Sequence, residues 1–318
     1  MRARIYKSDK RFFECKVDET GDIVKAMARG NLLKKGETLV VGDYVFLEEI
    51  PETKEIMITS LEKRSSEIFR IIVRESRKKV TASNCDLLII LTSVSRPQFK
   101  RGLVDRFLVR ACQWGIRPIV VFNKMDEFDE SFDISFEEKR LNRLGAKCFE
   151  ISAINSDYSA RYLENGVNEL RNEIQDRTSI FLGQSGVGKS KTINMLSDGK
   201  FELRTNTIAK VGKGSHTTTW SEIVELDGFC TIDSPGIRSF SLDDIDPDDL
   251  LSYFPDLEEV ASDCKFSNCD HTEGTKGCAF WSEYSPDTTE GEFLHSRLDS
   301  FHRIYDEISQ LPFWQKKF

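Results

Sequence analysis

Residues 178–196 run from a short apolar stretch into Gly183-Gln184-Ser185-Gly186-Val187-Gly188-Lys189-Ser190, then into a segment with Ile193 and Leu196 at helical spacing. This is G-x-x-x-x-G-K-[ST] at a strand-to-helix turn, the setting in which that pattern binds phosphate. It commits the residues around it to a sheet backed by helices. Glycines at 183, 186 and 188 let the backbone bring successive N–H groups against phosphate oxygens at a helix N-terminus. Lys189 is expected to reach the β- and γ-phosphates and Ser190 to ligate Mg²⁺. Gln184, Ser185, Val187 and Lys191 complete the nucleotide-binding loop.

A chain of 318 residues has room for two or three domains around this loop. The N-terminus carries charge but no apolar signal core, and no apolar run approaches the ~18 residues of a membrane span. A cytoplasmic protein without membrane contact is the expectation. Its eight cysteines then read as thiols or metal ligands rather than disulfides. The net charge of −8 conceals an asymmetry: residues 1–80 hold 18 Lys+Arg against 14 Asp+Glu, and residues 241–318 hold 6 against 18. Any nucleic-acid contact therefore falls to the N-terminal third.

Residues 1–62 place β-rich stretches at 12–15, 22–24, 38–41, 44–47 and 55–59 between turn signals. Five short strands in sixty residues predict a barrel of the oligonucleotide-binding (OB) type, serving either RNA binding or protein docking. Residues 63–80 are a basic connector, a solvated linker or a contact to phosphate backbone. Beyond Cys85, continuous apolar runs at 86–91 and 117–122 flank a helical pattern carrying Leu103, Phe107, Leu108 and Ala111, as in a doubly wound α/β domain.

The second of those runs ends in Asn123-Lys124-Met125-Asp126, at the carboxyl end of a parallel strand where ligands bind. The Asp126 carboxylate can accept from both the N1–H and the amino group of guanine, a pairing adenine does not offer. Asn123 braces the loop and contacts the base, and the Lys124 stem covers the ring. Ser152 and Ala153, closing the next strand, offer backbone N–H groups to the guanine oxygen. After the phosphate loop, residues 210–219 read as a segment ordering over the γ-phosphate, or as an irregular hairpin loop. Thr218, with Thr217 next, is the Mg²⁺ ligand expected there. Asp233-Ser-Pro-Gly236 is D-x-x-G: Asp233 holds Mg²⁺ through water and the Gly236 N–H meets the γ-phosphate. Ile237 cannot orient the attacking water, which leaves His216 as the candidate for that role.

Base recognition at 123–126 and 152–153 precedes the phosphate loop, and the two switches follow it. The usual GTPase order begins with the phosphate loop, so the domain is expected to be circularly permuted, its second switch running straight into the C-terminal region. There, Cys264, Cys269, His271 and Cys278 supply three thiolates and one imidazole, the donor set of a structural Zn²⁺. Residues 290–310 carry apolar side chains at helical spacing.

Val41-Gly42-Asp43, Lys63-Arg64-Ser65-Ser66, Ala82-Ser83-Asn84-Cys85-Asp86, the permuted motifs and the Cys-x4-Cys-x-His-x6-Cys spacing together resemble the RsgA (YjeQ) family of small-ribosomal-subunit-dependent GTPases. The resemblance implies an OB barrel and basic connector over 1–75, a permuted GTPase domain over 76–240 and a zinc-binding, mainly helical domain over 241–318. It also implies GTP hydrolysis late in subunit maturation, stimulated by the subunit. The barrel and zinc domain would touch ribosomal RNA, and His216 would be catalytic with Lys189 and Thr218. Lys191 and Ile237 depart from the usual family residues. A monomer is expected. A GTP-dependent RNA-binding scaffold with incidental hydrolysis is the alternative, and a P-loop kinase or ATPase, lacking base discrimination, is a third reading.

Overall fold

Five strands at the N-terminus close around the apolar side chains that alternate positions along each strand turn inward. The computed structural model describes residues 1–9, 12–30, 32, 38–72, 77–201, 221–233 and 241–310. Strands β1 (Arg2–Asp9), β2 (Phe12–Val17), β3 (Ile23–Ala28), β4 (Tyr44–Glu49) and β5 (Ile56–Leu61) run in the order β1-β2-β3-β5-β4, and β4 returns to pair with β1. The β3–β5 pair is parallel and the others antiparallel. Ala3, Ile5, Cys15, Val17, Val45, Leu47 and Ile58 fill this OB-type barrel.

Two expectations for this region change. Strand β1, which joins three neighbours, carries only Ala3 and Ile5 as core residues among charges, too weak an alternation to stand out. The apolar run at 38–41 forms no strand; Val41 makes a single bridge to Ala82. Leu39 enters the barrel core and Val41 the core of the next domain, a division that residues two apart on one face of a regular strand do not allow.

The basic connector is a hairpin, β6 (Glu67–Ile72) with β7 (Arg77–Ser83). It spans the 75/76 boundary expected from sequence. Ile68 and Ala82 are buried beneath it. Trp114 Nε1 donates to the Phe69 carbonyl at 2.9 Å, and the Ile71 N–H donates to Asp244 Oδ2 at 2.9 Å.

The central domain comprises β8 (Leu87–Ser93), α1 (Arg101–Trp114), β9 (Arg117–Asn123), α2 (Ile134–Arg143), β10 (Lys147–Glu150), α3 (Val167–Ile174), β11 (Thr178–Leu182), α4 (Lys189–Leu196), β12 (Glu222–Glu225) and β13 (Cys230–Asp233). Its strands lie in the order β10-β9-β8-β11-β13-β12, all parallel except β12. Alternate residues serve opposite faces. Leu88, Ile90, Val120 and Phe122 pack with Val104, Phe107, Leu108 and Ala111 of α1, whereas Leu87, Ile89, Ile119 and Val121 pack with Leu170 of α3 and Ile193 of α4. Every residue of β8 is buried, hence its unbroken apolar run. The phosphate loop leaves the central strand β11; strands on one side precede it in the chain and those on the other follow it. That order is the permutation read from the motifs.

After a 3₁₀ turn at Pro247–Tyr253 come α5 (Pro255–Ala261), α6 (Ala279–Ser282) and α7 (Thr289–Ser309). Leu250, Phe254, Leu257, Phe280, Leu298 and Phe301 form their core, which Val109 of α1 enters. Thr288 caps α7 by accepting from the Gly291 N–H at 3.0 Å. Among the described residues, no helix is long and apolar enough to cross a membrane.

Candidate functional site

The carboxyl ends of β9, β10 and β11 converge on Asn123, which is 2 % exposed. Its Nδ2 donates to the Val187 carbonyl in the phosphate loop at 2.8 Å, and its Oδ1 accepts from the Ala153 N–H at 2.9 Å. One side chain therefore ties the 123–126 motif, the 152–153 turn and the 183–190 loop into a single surface. Gly188 is required at this junction: its φ is +98°, and a Cβ there would lie 2.5 Å from Asn123 Nδ2. Lys124 takes the left-handed conformation, φ +64°, and its ammonium donates to the Arg96 carbonyl. Met125 is buried and its N–H donates to the Ile151 carbonyl at 3.1 Å, so Met125 anchors the loop while Asp126 is exposed. Ser152 is buried, and its hydroxyl has no partner among the described residues.

In the phosphate loop, Gln184 and Gly188 are half-buried, Ser185 and Gly186 exposed, and Val187 buried. Lys189 Nζ donates to the Gly183 carbonyl at 2.6 Å and the Gln184 carbonyl at 3.0 Å, which keeps the ammonium over the loop. Gly183 has Leu91 O 2.2 Å from where a Cβ would stand. Ser190 and Lys191 are exposed at the start of α4. Asp233 is exposed at the end of β13. His216, Thr217, Thr218, Gly236 and Ile237 lie outside the described residues.

Glu150 was not among the sequence candidates. Wholly buried at the end of β10, it accepts from the Tyr158 hydroxyl at 3.0 Å and from the N–H groups of Arg161, Tyr162 (2.9 Å) and Leu163 (2.6 Å). It thus folds the loop that follows Ser152 and Ala153. A carboxylate closing an apolar strand is the signal that could have marked it. The Tyr158 hydroxyl is pushed above its ordinary range, by burial first and by Glu150 second.

The Val41-Gly42-Asp43, Arg64-Ser65-Ser66 and Ser83-Asn84-Cys85 motifs meet at one junction. Asp43, fully buried, accepts from Arg64 Nε (2.7 Å), Ser83 Oγ (2.6 Å) and the Val40 N–H (2.8 Å). Asn84 Nδ2 donates to the Gly42 carbonyl at 2.9 Å, and Ser66 Oγ to the Cys85 carbonyl at 2.8 Å. Arg4 of β1 reaches the Asn84 carbonyl and Thr178 Oγ1, each at 2.7 Å. These motifs join the barrel to the first residues of β8 and β11.

In the C-terminal region the donor atoms of Cys264, Cys269, His271 and Cys278 all lie within 4.8 Å of one another. His271 Nδ1 is 3.6 Å from Cys264 Sγ and 3.9 Å from Cys278 Sγ, close to the roughly 3.6 Å edge that tetrahedral Zn–S and Zn–N bonds generate. The Ala279 N–H donates to Cys264 Sγ at 3.4 Å and Trp281 Nε1 to the His271 carbonyl at 3.0 Å. Burial pushes the Cys278 thiol up to about 12 and the Cys264 thiol up as well, and pushes His271 down. A bound cation reverses the preference of the thiols, because thiolate is the ligand. The donor set fits a structural metal ion.

A family model described as RsgA GTPase matches residues 61–243. The small ribosomal subunit biogenesis GTPase RsgA of Flavobacterium psychrophilum is 31% identical over 317 residues, spanning 96% of this chain and 93% of that protein. Among solved structures, YjeQ from Thermotoga maritima aligns with a TM-score of 0.76 at 23% identity, covering 98% of this chain and 99% of its own. YloQ, described as a circularly permuted GTPase, aligns with a TM-score of 0.71 at 24% identity, covering 98% and 96%. These two likenesses establish the fold, including the permuted sheet.

Proposed function

This chain belongs to the RsgA GTPase family, and from that premise we propose that it is a GTP-hydrolysing enzyme of small-ribosomal-subunit biogenesis whose turnover rises when it docks on the subunit. The observation that carries this reading is the Asn123 tie, which brings a guanine-selective motif against a phosphate loop. Asp126 selects guanine, with Asn123, Lys124, Met125, Ser152 and Ala153 shaping the base pocket. The loop 183–190 with Lys191 cradles the phosphates through backbone N–H groups and the Lys189 ammonium. Ser190 and Thr218 would hold Mg²⁺, which neutralises charge on the phosphates, with Asp233 and Gly236 beside it. His216 orients the attacking water; this assignment and that of Thr218 rest on sequence.

The metal held by Cys264, Cys269, His271 and Cys278 is Zn²⁺ in this reading, with a structural role, since four protein donors leave no open position. Ribosomal RNA is the partner of the barrel and hairpin. Arg70 and Lys79 are exposed on the hairpin, where Lys78 lies 4.1 Å over the Phe69 ring. The protein acts in the cytoplasm as a monomer.

Steady-state hydrolysis with and without purified small subunits, and competition of GTP against ATP, test the reading. Stimulation by subunits and rejection of ATP by roughly 10⁴-fold, as for other hydrogen-bonding sites, are expected. Equal affinity for ATP overturns it, and hydrolysis that subunits do not stimulate leaves the scaffold alternative.

A further inference from the structure

Strand β12 is held from two sides. On one it pairs antiparallel with β13, matching Glu222 to Asp233 and Glu225 to Cys230. On the other it meets the barrel, where Glu222 is also the register partner of Lys7 in β1. Register partners present their side chains on one face, so Lys7, Glu222 and Asp233 form a row across three strands. Lys7 Nζ stands 3.7 Å from Glu222 Oε2. Two carboxylates directly opposite each other repel, and the Lys7 ammonium offsets that repulsion.

The seam continues beyond this row. Lys16 of β2 pairs with Glu225 at 2.6 Å, and its ammonium lies 5.6 Å over the Tyr6 ring. The β1–β2 register shifts between Ile5 and Lys7, which sets Tyr6 apart from the ladder, and an irregularity of this kind re-aims a side chain. Tyr6 and Cys230 of β13 pack, partly buried, against the same core on one face of the central sheet. In sequence, β12 and β13 connect residues 210–219 to the D-x-x-G at 233–236. Each of the two strands has only four residues, so few pairs of their own hold them in register. A slip of one residue turns the side chains of a strand to the opposite face.

We propose, resting on the GTPase reading above, that the barrel fixes the register of β12 against β13 through this seam and so positions Asp233 for GTP hydrolysis, which makes Tyr6, Lys7 and Lys16 positioning residues for a reaction they do not touch. The Lys7–Glu222 pair is half-exposed and contributes little to stability. Its contribution is to alignment.

The test is single-turnover GTP hydrolysis at saturating small subunits, with GTP-analogue and subunit binding measured in parallel, for wild type, Lys7→Glu, Glu222→Lys and the double swap. Each single reversal should slow hydrolysis about tenfold, short of the roughly 10²-fold that a ~1 Å misplacement at a reacting centre carries, while nucleotide affinity stays unchanged. The swap should recover most of the rate. Should Lys7→Glu fail to fold, Lys7→Ala carries the same test, because it removes the cation without adding repulsion. Single variants as fast as wild type overturn the inference. So does a swap that stays as slow as Lys7→Glu, since Lys7 would then be acting on the subunit instead. Wild type that hydrolyses no GTP overturns the GTPase reading and this inference together; variants that match an active wild type overturn only this inference.

Discussion

Asn123 is the residue on which the nucleotide site depends most. Removing its amide in Asn123→Ala leaves the Val187 carbonyl and the Ala153 N–H without their partner, at a cost of about 1–3 kcal/mol. GTP and GDP affinity should both fall, by roughly ten- to a hundredfold on that scale, as read by titration with a fluorescent nucleotide. Asp126→Asn acts differently. An amide at 126 offers a donor where guanine also offers donors, so discrimination between guanine and xanthine nucleotides should weaken or invert while the phosphate loop keeps its contribution; competition binding checks this. Residues of this kind were legible in sequence because their spacing is local and their chemistry specific. Glu150 was not, since a lone carboxylate carries no spacing signal and its role is defined by four donors brought in from residues 158–163.

Among the elements, the metal lobe and the barrel junction make separate predictions. Cys269→Ser removes one of four donors and should release the metal and loosen the segment around residues 264–278, seen as lost metal in elemental analysis and faster amide exchange there. Acidification should release metal from wild type too, because protons compete for the same thiolates and imidazole. At the junction, Gly42 has φ +95° and a Cβ there would stand 2.0 Å from the Ser83 carbonyl oxygen. Gly42→Ala should therefore destabilise the barrel–domain contact by more than about 1 kcal/mol, measured as a lower denaturant midpoint. Strand β8 was readable because a strand buried on both faces reads as a continuous apolar run, here Leu87 to Leu91. Strand β1 and the β6–β7 hairpin were not, because each takes its order from partners distant in sequence: β1 from β2, β4 and β12, and the hairpin from Trp114 and Asp244.

At the scale of the whole molecule, a buried cluster couples the central domain to the C-terminal helices. Asp105 of α1 accepts from Arg140 of α2 at 2.9 Å, and from Arg297 (2.8 Å) and Ser300 (2.5 Å) of α7. Burial alone would raise the Asp105 carboxyl, but the Arg297 and Arg140 guanidiniums outweigh it and hold the group below its ordinary range. Its stabilising contribution is therefore complete above the unfolded value of about 3.9 and is lost as pH falls through the lower folded value. Asp105→Asn should destabilise the protein by about 1–3 kcal/mol at neutral pH, since two buried guanidiniums lose their shared counter-charge while Arg140 keeps Glu137 and Arg297 keeps Asp256. It should also flatten the loss of stability in acid, and thermal melts across pH 3–7 check both. The sequence by itself determined which chemistry this protein carries: a phosphate loop, a guanine motif, a permuted order and a four-donor metal set are runs of residues whose spacing survives in one dimension. Only the tertiary structure decided how those parts are joined. The Asn123 tie, the Asp43 and Asp105 clusters and the Lys7–Glu222–Asp233 row each bring together residues far apart in the chain, and neither periodicity nor local propensity records such meetings.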